Sequence, residues 1–212
     1  FYSEESMKCS TSQFLINDTK SGFANNTLYF DYPRNRTILK KSQAKPFTLI
    51  YIGTLRKYKQ IEKLIDLFII LNHWDSNIRL KIIGDGEMSE YIKKKQKSFS
   101  SIYWYGRITD ENQIKDHMKE SHLSVNLGLT GLSIVHSFYY GLPYVTLTNS
   151  NHGPEIDYLV DGYNGIIGRD VEQVSDHIKG LVLNQKKYKE ISLNAFNTMN
   201  KISHLNWCRQ MN

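Results

Sequence analysis

The sequence has little cysteine and no long apolar run, and both absences narrow what the chain can be. Its 212 residues include two cysteines, Cys9 and Cys208, at opposite ends of the chain. These are too few for a disulfide framework or a zinc site, so we expect reduced thiols in a cytosolic compartment. No apolar run approaches the roughly 18 residues of a membrane-spanning helix. With 40% hydrophobic and 23% charged residues, the composition predicts a soluble globular protein.

Positive charge is in excess: Lys and Arg outnumber Asp and Glu by 27 to 21, a formal net charge of +6. Such an excess favours anionic partners, and a nucleotide, phosphate groups and an acidic membrane face all stay open. The chain begins at Phe1 rather than at a methionine, so we expect it to be a piece of a longer protein.

The composition and the pattern of apolar residues change along the chain. Residues 1–36 are rich in Ser, Asn and Thr, and residues 37–46 have the basic character of a linker. From Phe47 onwards, apolar strands, turns and amphipathic helices alternate, which is typical of a parallel sheet wrapped by helices. The fold class predicted for residues 47–184 is therefore α/β, a Rossmann-like parallel sheet with helices on both faces. Residues 185–212 are predicted to form C-terminal helices.

Apolar periodicity places the individual elements. Strands are predicted at 47–52, 78–83, 102–105, 123–127, 143–147 and near Ile166. Helices are predicted at 61–68, 91–97, 110–118, 132–140 and 171–183, and from Gln185 onwards. Asp110 and Gln113 have the spacing of a capping box at the start of the third helix.

Glycine turns follow the predicted strands, at Gly53, Gly84, Gly106, Gly128 and Gly131. In open parallel sheets, ligands bind beyond the carboxyl ends of the strands, where these turns would meet. The helix N-termini at the same edge favour phosphate groups. Any one glycine is explained by strand termination alone, but the set in a basic chain indicates a nucleotide or phosphate ligand.

Five motifs in order carry a family resemblance. They are Ile52-Gly-Thr-Leu-Arg-Lys-Tyr-Lys-Gln, Ile83-Gly-Asp-Gly-Glu, Tyr105-Gly-Arg-Ile, Gly131-Leu-Ser-Ile-Val-His-Ser-Phe-Tyr-Tyr-Gly-Leu-Pro, and Gly153-Pro-Glu-Ile followed by Asp161-Gly-Tyr-Asn-Gly. Together they resemble the C-terminal, donor-binding domain of retaining GT-B glycosyltransferases of group 1. Residues 1–36 are similar to the tail of the family's N-terminal acceptor domain.

The resemblance implies transfer of a sugar from a nucleotide-sugar to a saccharide or lipid-linked acceptor in polysaccharide biosynthesis, as in capsule or lipopolysaccharide. It implies retention at the anomeric carbon, no metal and no other cofactor. The acceptor would be held by an N-terminal domain that the chain lacks. The protein would be cytoplasmic, either free or peripheral at the inner face of the membrane. The Lys93–Lys97 cluster is either a membrane-facing stripe or a solvated helix face.

The resemblance also assigns binding residues. Family members hold the donor diphosphate with an Arg directly after the first Gly and a Lys five residues further on, which stabilises the developing negative charge. Here these positions are Thr54 and Lys59, and Arg56 is a substitute for the missing Arg. Backbone N–H groups of Gly131, Leu132 and Ser133 would contact the diphosphate at a helix N-terminus. Arg107 and Ile108 fall where the family packs the nucleobase. The alternative for residues 56–59 is a solvated basic turn.

The family's best-known signature, two glutamates separated by seven residues, is absent. Its positions fall on Gly128 and His136, of which the second normally accepts hydrogen bonds from the ribose. Some polysaccharide-assembly members carry His-Ser at this point, which favours a divergent active branch. His136 and Glu155 are the candidate catalytic residues, with Glu155 as a compensating carboxylate. The alternatives are a packing role for His136 and a helix-capping role for Glu155.

An unperturbed histidine titrates near 6.5. If His136 accepts a hydrogen bond from the ribose, nucleotide affinity is expected to fall between pH 8 and pH 6.

Two other classes of function compete with a transferase. Loss of both glutamates suggests a non-catalytic nucleotide-sugar-binding module with a degenerate active site. Net charge and the aromatic residues Tyr103, Trp104 and Tyr105 are the features that would suit a nucleic-acid binder. Because those aromatics fall in a predicted strand, where they are more often core than stacking platform, we expect no nucleic-acid partner.

Overall fold

The computed structural model describes Leu28 and residues 46–148 and 151–202. These residues contain one six-stranded sheet in the order β3-β2-β1-β4-β5-β6, and each strand pairing is parallel. The predicted tail 1–36 and linker 37–46 lie almost wholly outside the described residues. The strands are β1 (Thr48–Ile52), β2 (Arg79–Ile83), β3 (Ile102–Trp104), β4 (Leu123–Val125), β5 (Tyr144–Leu147) and β6 (Gly165–Gly168).

Helices connect the strands and cover both faces of the sheet, so the predicted fold class is confirmed. They are α1 (Ile61–Trp74), α2 (Ser89–Ser98), α3 (Glu111–Lys119), α4 (Ser133–Tyr139), α5 (Val171–Leu183) and α6 (Gln185–Lys201). Two short 3₁₀ segments, Lys57–Lys59 and Pro154–Tyr158, lie in loops at the carboxyl ends of β1 and β5.

Strand β1 shows why the sheet needs helices on both faces. Its side chains alternate, so Leu49 and Tyr51 enter one core while Ile50 enters the other. A strand buried on both faces has a continuous apolar sequence, as residues 49–52 do here. The first core lies against α1, α2 and α5, and the second lies mainly against α3, α4 and α6.

Strand β4 is shorter than the sequence predicted, and the reason is local. It ends at Val125 rather than at residue 127. The side chain of Asn126 accepts a hydrogen bond from Gly128 N (3.2 Å) and donates one to the carbonyl oxygen of Leu129 (3.1 Å). Such local side-chain bonds compete with the sheet ladder and turn the chain.

The Asp110 half of the predicted capping box is present at the start of α3. The Asp110 carboxylate accepts hydrogen bonds from the backbone N–H groups of Asn112 (2.7 Å) and Gln113 (3.3 Å). Helix α5 ends at Leu183 and α6 begins at Gln185, as predicted. Helix α6 packs on α4, and Ser192 Oγ donates to the carbonyl oxygen of Gly141 at 2.6 Å. A domain boundary at residue 184 stays a prediction.

Among the helices of the described segments, none combines sufficient length with sufficient apolar character to cross a bilayer.

Candidate donor-binding site

A cleft of about 560 Å³ opens at the carboxyl ends of β1, β2 and β3. This is the edge of the sheet at which the glycine turns predicted a ligand. The residues that line it come from the ends of the three strands and the loops that follow: Ile52, Gly53, Thr54, Ile83, Gly84, Asp85, Gly86, Arg107 and Ile108.

The loops around this cleft support one another through their backbones. Gly53 N donates to the carbonyl oxygen of Ile83 (3.0 Å), and Gly84 N donates to that of Gly106 (2.7 Å). Gly84 has a φ of +143°, and a Cβ at this position would lie 1.8 Å from the carbonyl oxygen of Gly53. Only glycine fits such a close approach, so the first two loops are packed against each other.

Asp85 fixes the second of these loops. Its Oδ1 accepts a hydrogen bond from Gly86 N (2.8 Å) and another from the Ser89 hydroxyl. These two hydrogen bonds stabilise the carboxylate and lower the pKa of Asp85, and the bond from Ser89 has the larger effect. The nearby positive charge of Arg107 acts in the same direction.

The residues predicted to contact the donor fall into two groups. Thr54, Arg107 and Ile108 line the cleft, and the carbonyl oxygen of Thr54 accepts a hydrogen bond from the hydroxyl of Tyr51 at 2.8 Å. Arg56 is exposed and is not among the residues that line the cleft. For both groups, contact with a ligand stays a prediction.

Lys59 connects the loop after β1 with the loop after β4. Its half-buried ammonium donates to the carbonyl oxygen of Leu129 at 2.6 Å. Burial lowers the pKa of Lys59, because a desolvated ammonium is disfavoured. The backbones are also in contact: a Cβ at Gly128 would lie 2.4 Å from the carbonyl carbon of Lys59.

His136 lies on α4, beside a small polar cavity of about 30 Å³ that shares Ile52 with the large cleft. Ser124, Asn126 and Tyr144 also line this cavity. Because the imidazole Nε2 is buried, burial lowers the pKa of His136 to about 4. The expectation that His136 titrates near 6.5 is therefore wrong, and the ring is neutral at pH 6 to 8.

Glu155 is buried beside the start of α4. One of its carboxylate oxygens would lie 3.5 Å from a Cβ placed at Gly131. Glu155 belongs to the short 3₁₀ segment Pro154–Tyr158, whose N-cap is Gly153. The position suits the compensating carboxylate expected from the sequence, and its role stays a prediction.

Gly131, Leu132 and Ser133 form the start of α4. The N–H of Ile134 donates to the carbonyl oxygen of Gly131 (3.0 Å), so the three preceding N–H groups lie at the open end of the turn. The Ser133 hydroxyl is 2.7 Å from the hydroxyl of Tyr144, which fixes this turn to β5. The predicted diphosphate contact stays a prediction.

Sequence reasoning missed a pair that connects two loops of the site. Thr130 Oγ1 lies 3.2 Å from His152 Nδ1, and His152 Nε2 lies 2.8 Å from the carbonyl oxygen of Leu147. Thr130 lies 22 residues before His152, so no short spacing indicates this contact. The sequence indicates only that His152 lies close to the site, because it stands three residues before Glu155.

Solved glycosyltransferase structures of the GT-B fold share this arrangement. A variant of TarM from S. aureus, in complex with fondaparinux, alpha-GlcNAc-glycerol and UDP, has a TM-score of 0.76 at 20% identity and covers 99% of this chain. WaaB, a lipopolysaccharide outer core galactosyltransferase, has a TM-score of 0.72 at 16% identity and covers 95%. The chain spans 42% of that TarM chain and 57% of WaaB. The chain therefore has the fold of a GT-B domain.

A solved structure of a single domain also matches this chain. The C-terminal domain of LpcC, a glycosyl transferase group 1 family protein from Francisella tularensis, has a TM-score of 0.63 at 18% identity. That match covers 82% of this chain and 94% of the LpcC domain. Residues 35–198 match the family "Glycosyl transferases group 1". The chain belongs to this family, and the resemblance stated from its motifs is confirmed. No curated protein matches it in sequence.

Proposed function

We propose that this chain is the donor-binding half of a glycosyltransferase that takes a sugar from a nucleotide-sugar. The observation that carries the proposal is the cleft at the ends of β1, β2 and β3, with its mutually bonded glycine loops. Backbone N–H groups in the loops around the cleft can bind phosphate groups, and the apolar side chains of Ile52, Ile83 and Ile108 can pack against a nucleobase. UDP in the TarM complex agrees with this chemistry.

A thermal-shift panel tests the proposal. The 212-residue chain is heated with nucleosides, nucleoside diphosphates, nucleotide-sugars and short oligonucleotides. A ligand that binds only the folded state raises the melting temperature by mass action. We expect stabilisation by a nucleoside diphosphate and its sugar ester, and none by oligonucleotides. No stabilisation by any nucleotide at millimolar concentration would contradict the proposal.

One observation favours a second candidate function, a non-catalytic nucleotide-sugar-binding module. The position of the first family glutamate is Gly128, where the backbone of Lys59 leaves no room for a side chain, and the second is the neutral His136. Donor binding is common to both candidates. Sugar transfer by the full-length protein distinguishes them, and its absence in the presence of donor binding favours the second.

The finer features of the reaction belong to the proposal as well. We propose a retaining hexosyltransferase that acts on a saccharide or lipid-linked acceptor in capsule or lipopolysaccharide assembly, a role that the similarity to WaaB supports. The acceptor would be bound by an N-terminal domain. The anomeric configuration of the product, read by NMR from a reaction of the full-length protein, tests retention.

Two accompanying features have direct tests. We propose that donor binding needs no metal, which predicts equal nucleotide affinity with a chelator and with added magnesium.

We also propose a cytoplasmic protein with peripheral membrane contact through the exposed Lys93, Lys94 and Lys97 of α2. Cosedimentation with anionic but not neutral vesicles would support this contact, since it depends on surface charge.

A further inference from the structure

His152 lies between the end of β5 and the loop that precedes α4. Its Nε2 is 2.8 Å from the carbonyl oxygen of Leu147, and its Nδ1 is 3.2 Å from the hydroxyl of Thr130. A carbonyl oxygen only accepts hydrogen bonds, so Nε2 carries the proton. In the neutral ring Nδ1 then accepts, and the Thr130 hydroxyl donates to it.

A backbone hydrogen bond also joins the loop of His152 to the loop of Thr130. Gly153 N donates to the carbonyl oxygen of Thr130 at 2.8 Å, so residues 152 and 153 hold both the side chain and the backbone of Thr130. Thr130 is 1% exposed, which keeps water from replacing these bonds. The loop after β4 and the loop after β5 are thereby held in one relative position.

The connection has consequences for the neighbouring residues. Gly131 follows Thr130 directly, and a Cβ placed at Gly131 would lie 3.5 Å from a carboxylate oxygen of the buried Glu155. A shift of Thr130 therefore moves the N–H groups of residues 131–133, which follow it directly in the chain. The turn of residues 131–133, the predicted diphosphate contact, therefore packs directly against the buried Glu155 side chain.

We propose that His152 and Thr130 are positioning residues that hold Gly131–Ser133 in the conformation that receives a diphosphate. This inference rests on the proposed function. The ligand affected is the diphosphate part of the donor, and the nucleoside part, which lies in the cleft of β1, β2 and β3, is unaffected.

The test compares Thr130→Val with Thr130→Ser, which keeps the hydroxyl. Thr130→Val is expected to raise the Kd for a nucleoside diphosphate by about 3- to 10-fold, the range for one hydrogen bond, and Thr130→Ser by less than about 2-fold. Nucleoside Kd stays unchanged in both. Thr146→Val is the matched control, because this buried threonine hydroxyl of β5 has no hydrogen-bond partner among the described residues. It is expected to leave both Kd values unchanged.

A double-mutant cycle adds a readout that a merely structural role would not move. In a His152→Ala background, Thr130→Val is expected to add less than about 2-fold to the diphosphate Kd, because the hydroxyl has lost its acceptor. Parent-like diphosphate binding by Thr130→Val would overturn the inference, as would equal losses for nucleoside and diphosphate or full additivity. Failure of the unaltered chain to bind any nucleotide would instead overturn the proposed function, and this inference with it.

Discussion

The Lys59 ammonium lies 2.6 Å from the carbonyl oxygen of Leu129, so the loop after β1 and the loop after β4 share a bond across the site. Charge on the ammonium is partly desolvated there, which lowers the pKa of Lys59. An anion that reaches this point gains a charge-assisted hydrogen bond from a donor that is already oriented.

Replacement of Lys59 by alanine is expected to weaken nucleoside diphosphate binding by about 1.5–3 kcal/mol, the range for a hydrogen bond to a charged group. Nucleoside binding should hardly change, because the amine would contact phosphate alone. Isothermal titration of both ligands provides the measurement. Lys57→Ala is the matched control, since Lys57 is exposed in the same 3₁₀ segment. Equal losses for both ligands would show that Lys59 is not at the phosphates.

Restoring the family glutamate at position 128 is expected to destabilise the chain. A Cβ at Gly128 would lie 2.4 Å from the Lys59 carbonyl carbon, so Gly128→Glu must displace the 57–60 turn. Overpacking of this kind costs about 1–3 kcal/mol of unfolding free energy. Chemical denaturation measures this loss.

Gly180→Ala serves as the control for Gly128. A Cβ at Gly180 would meet no heavy atom of the described residues within 4 Å, and the residue lies inside helix α5. This substitution should stabilise by about 0.5–1 kcal/mol. A Gly128→Glu variant as stable as the parent would contradict the packing described here.

Between pH 8 and pH 6, the affinity for an intact nucleotide-sugar is expected to stay constant within about twofold, because a group with a pKa near 4 is uncharged throughout. The intact ester is the right ligand, since its diphosphate does not titrate in this range. His136→Gln should show the same flat profile. A fall in affinity below neutrality that the Gln variant abolishes would mean that His136 is charged at the site.

Folding stability, in contrast, should depend on His136 at lower pH. The folded pKa of about 4 lies below the ordinary value of 6.5, so the unfolded chain binds the proton first. The stabilisation is complete above pH 6.5 and is lost as pH falls towards 4, at about 1.4 kcal/mol per pH unit. Denaturation of the parent and of His136→Gln over this range should show a steeper decline for the parent. Parallel curves would contradict a buried neutral ring.

Much of the fold could be predicted because its elements carry local signals. The apolar run of β1, the Asp110 cap and the start of α5 after Asp170 each depend on residues close in sequence. The end of β4 could not be predicted, because it depends on which partner the Asn126 side chain selects.

The site was predictable to a smaller extent. The family motifs predicted donor contacts for Thr54, Arg107 and Ile108, and these residues line the cleft. Side-chain environments, in contrast, depend on residues far along the chain. The low pKa of His136 results from burial among several elements, and the contact of Thr130 with His152 joins two loops. Neither leaves a periodic trace in the sequence.

The 212-residue chain alone is expected to bind a nucleotide-sugar but to transfer no sugar. Transfer requires the acceptor to be held against the donor, and in the proposed architecture that surface belongs to the N-terminal domain. A radiolabelled transfer assay with simple acceptors checks this expectation. Turnover by the chain alone would contradict it.

The most direct test of the central claim is a two-dimensional ¹H–¹⁵N NMR titration of the chain with UDP and, in parallel, GDP. The account predicts saturable shifts for the amides of Gly53, Thr54, Gly84, Gly86 and Arg107 with at least one of the two, because these line the cleft at the ends of β1, β2 and β3. Shifts confined to the lysines of α2, or none at millimolar ligand, would contradict the assignment of this cleft as the donor site.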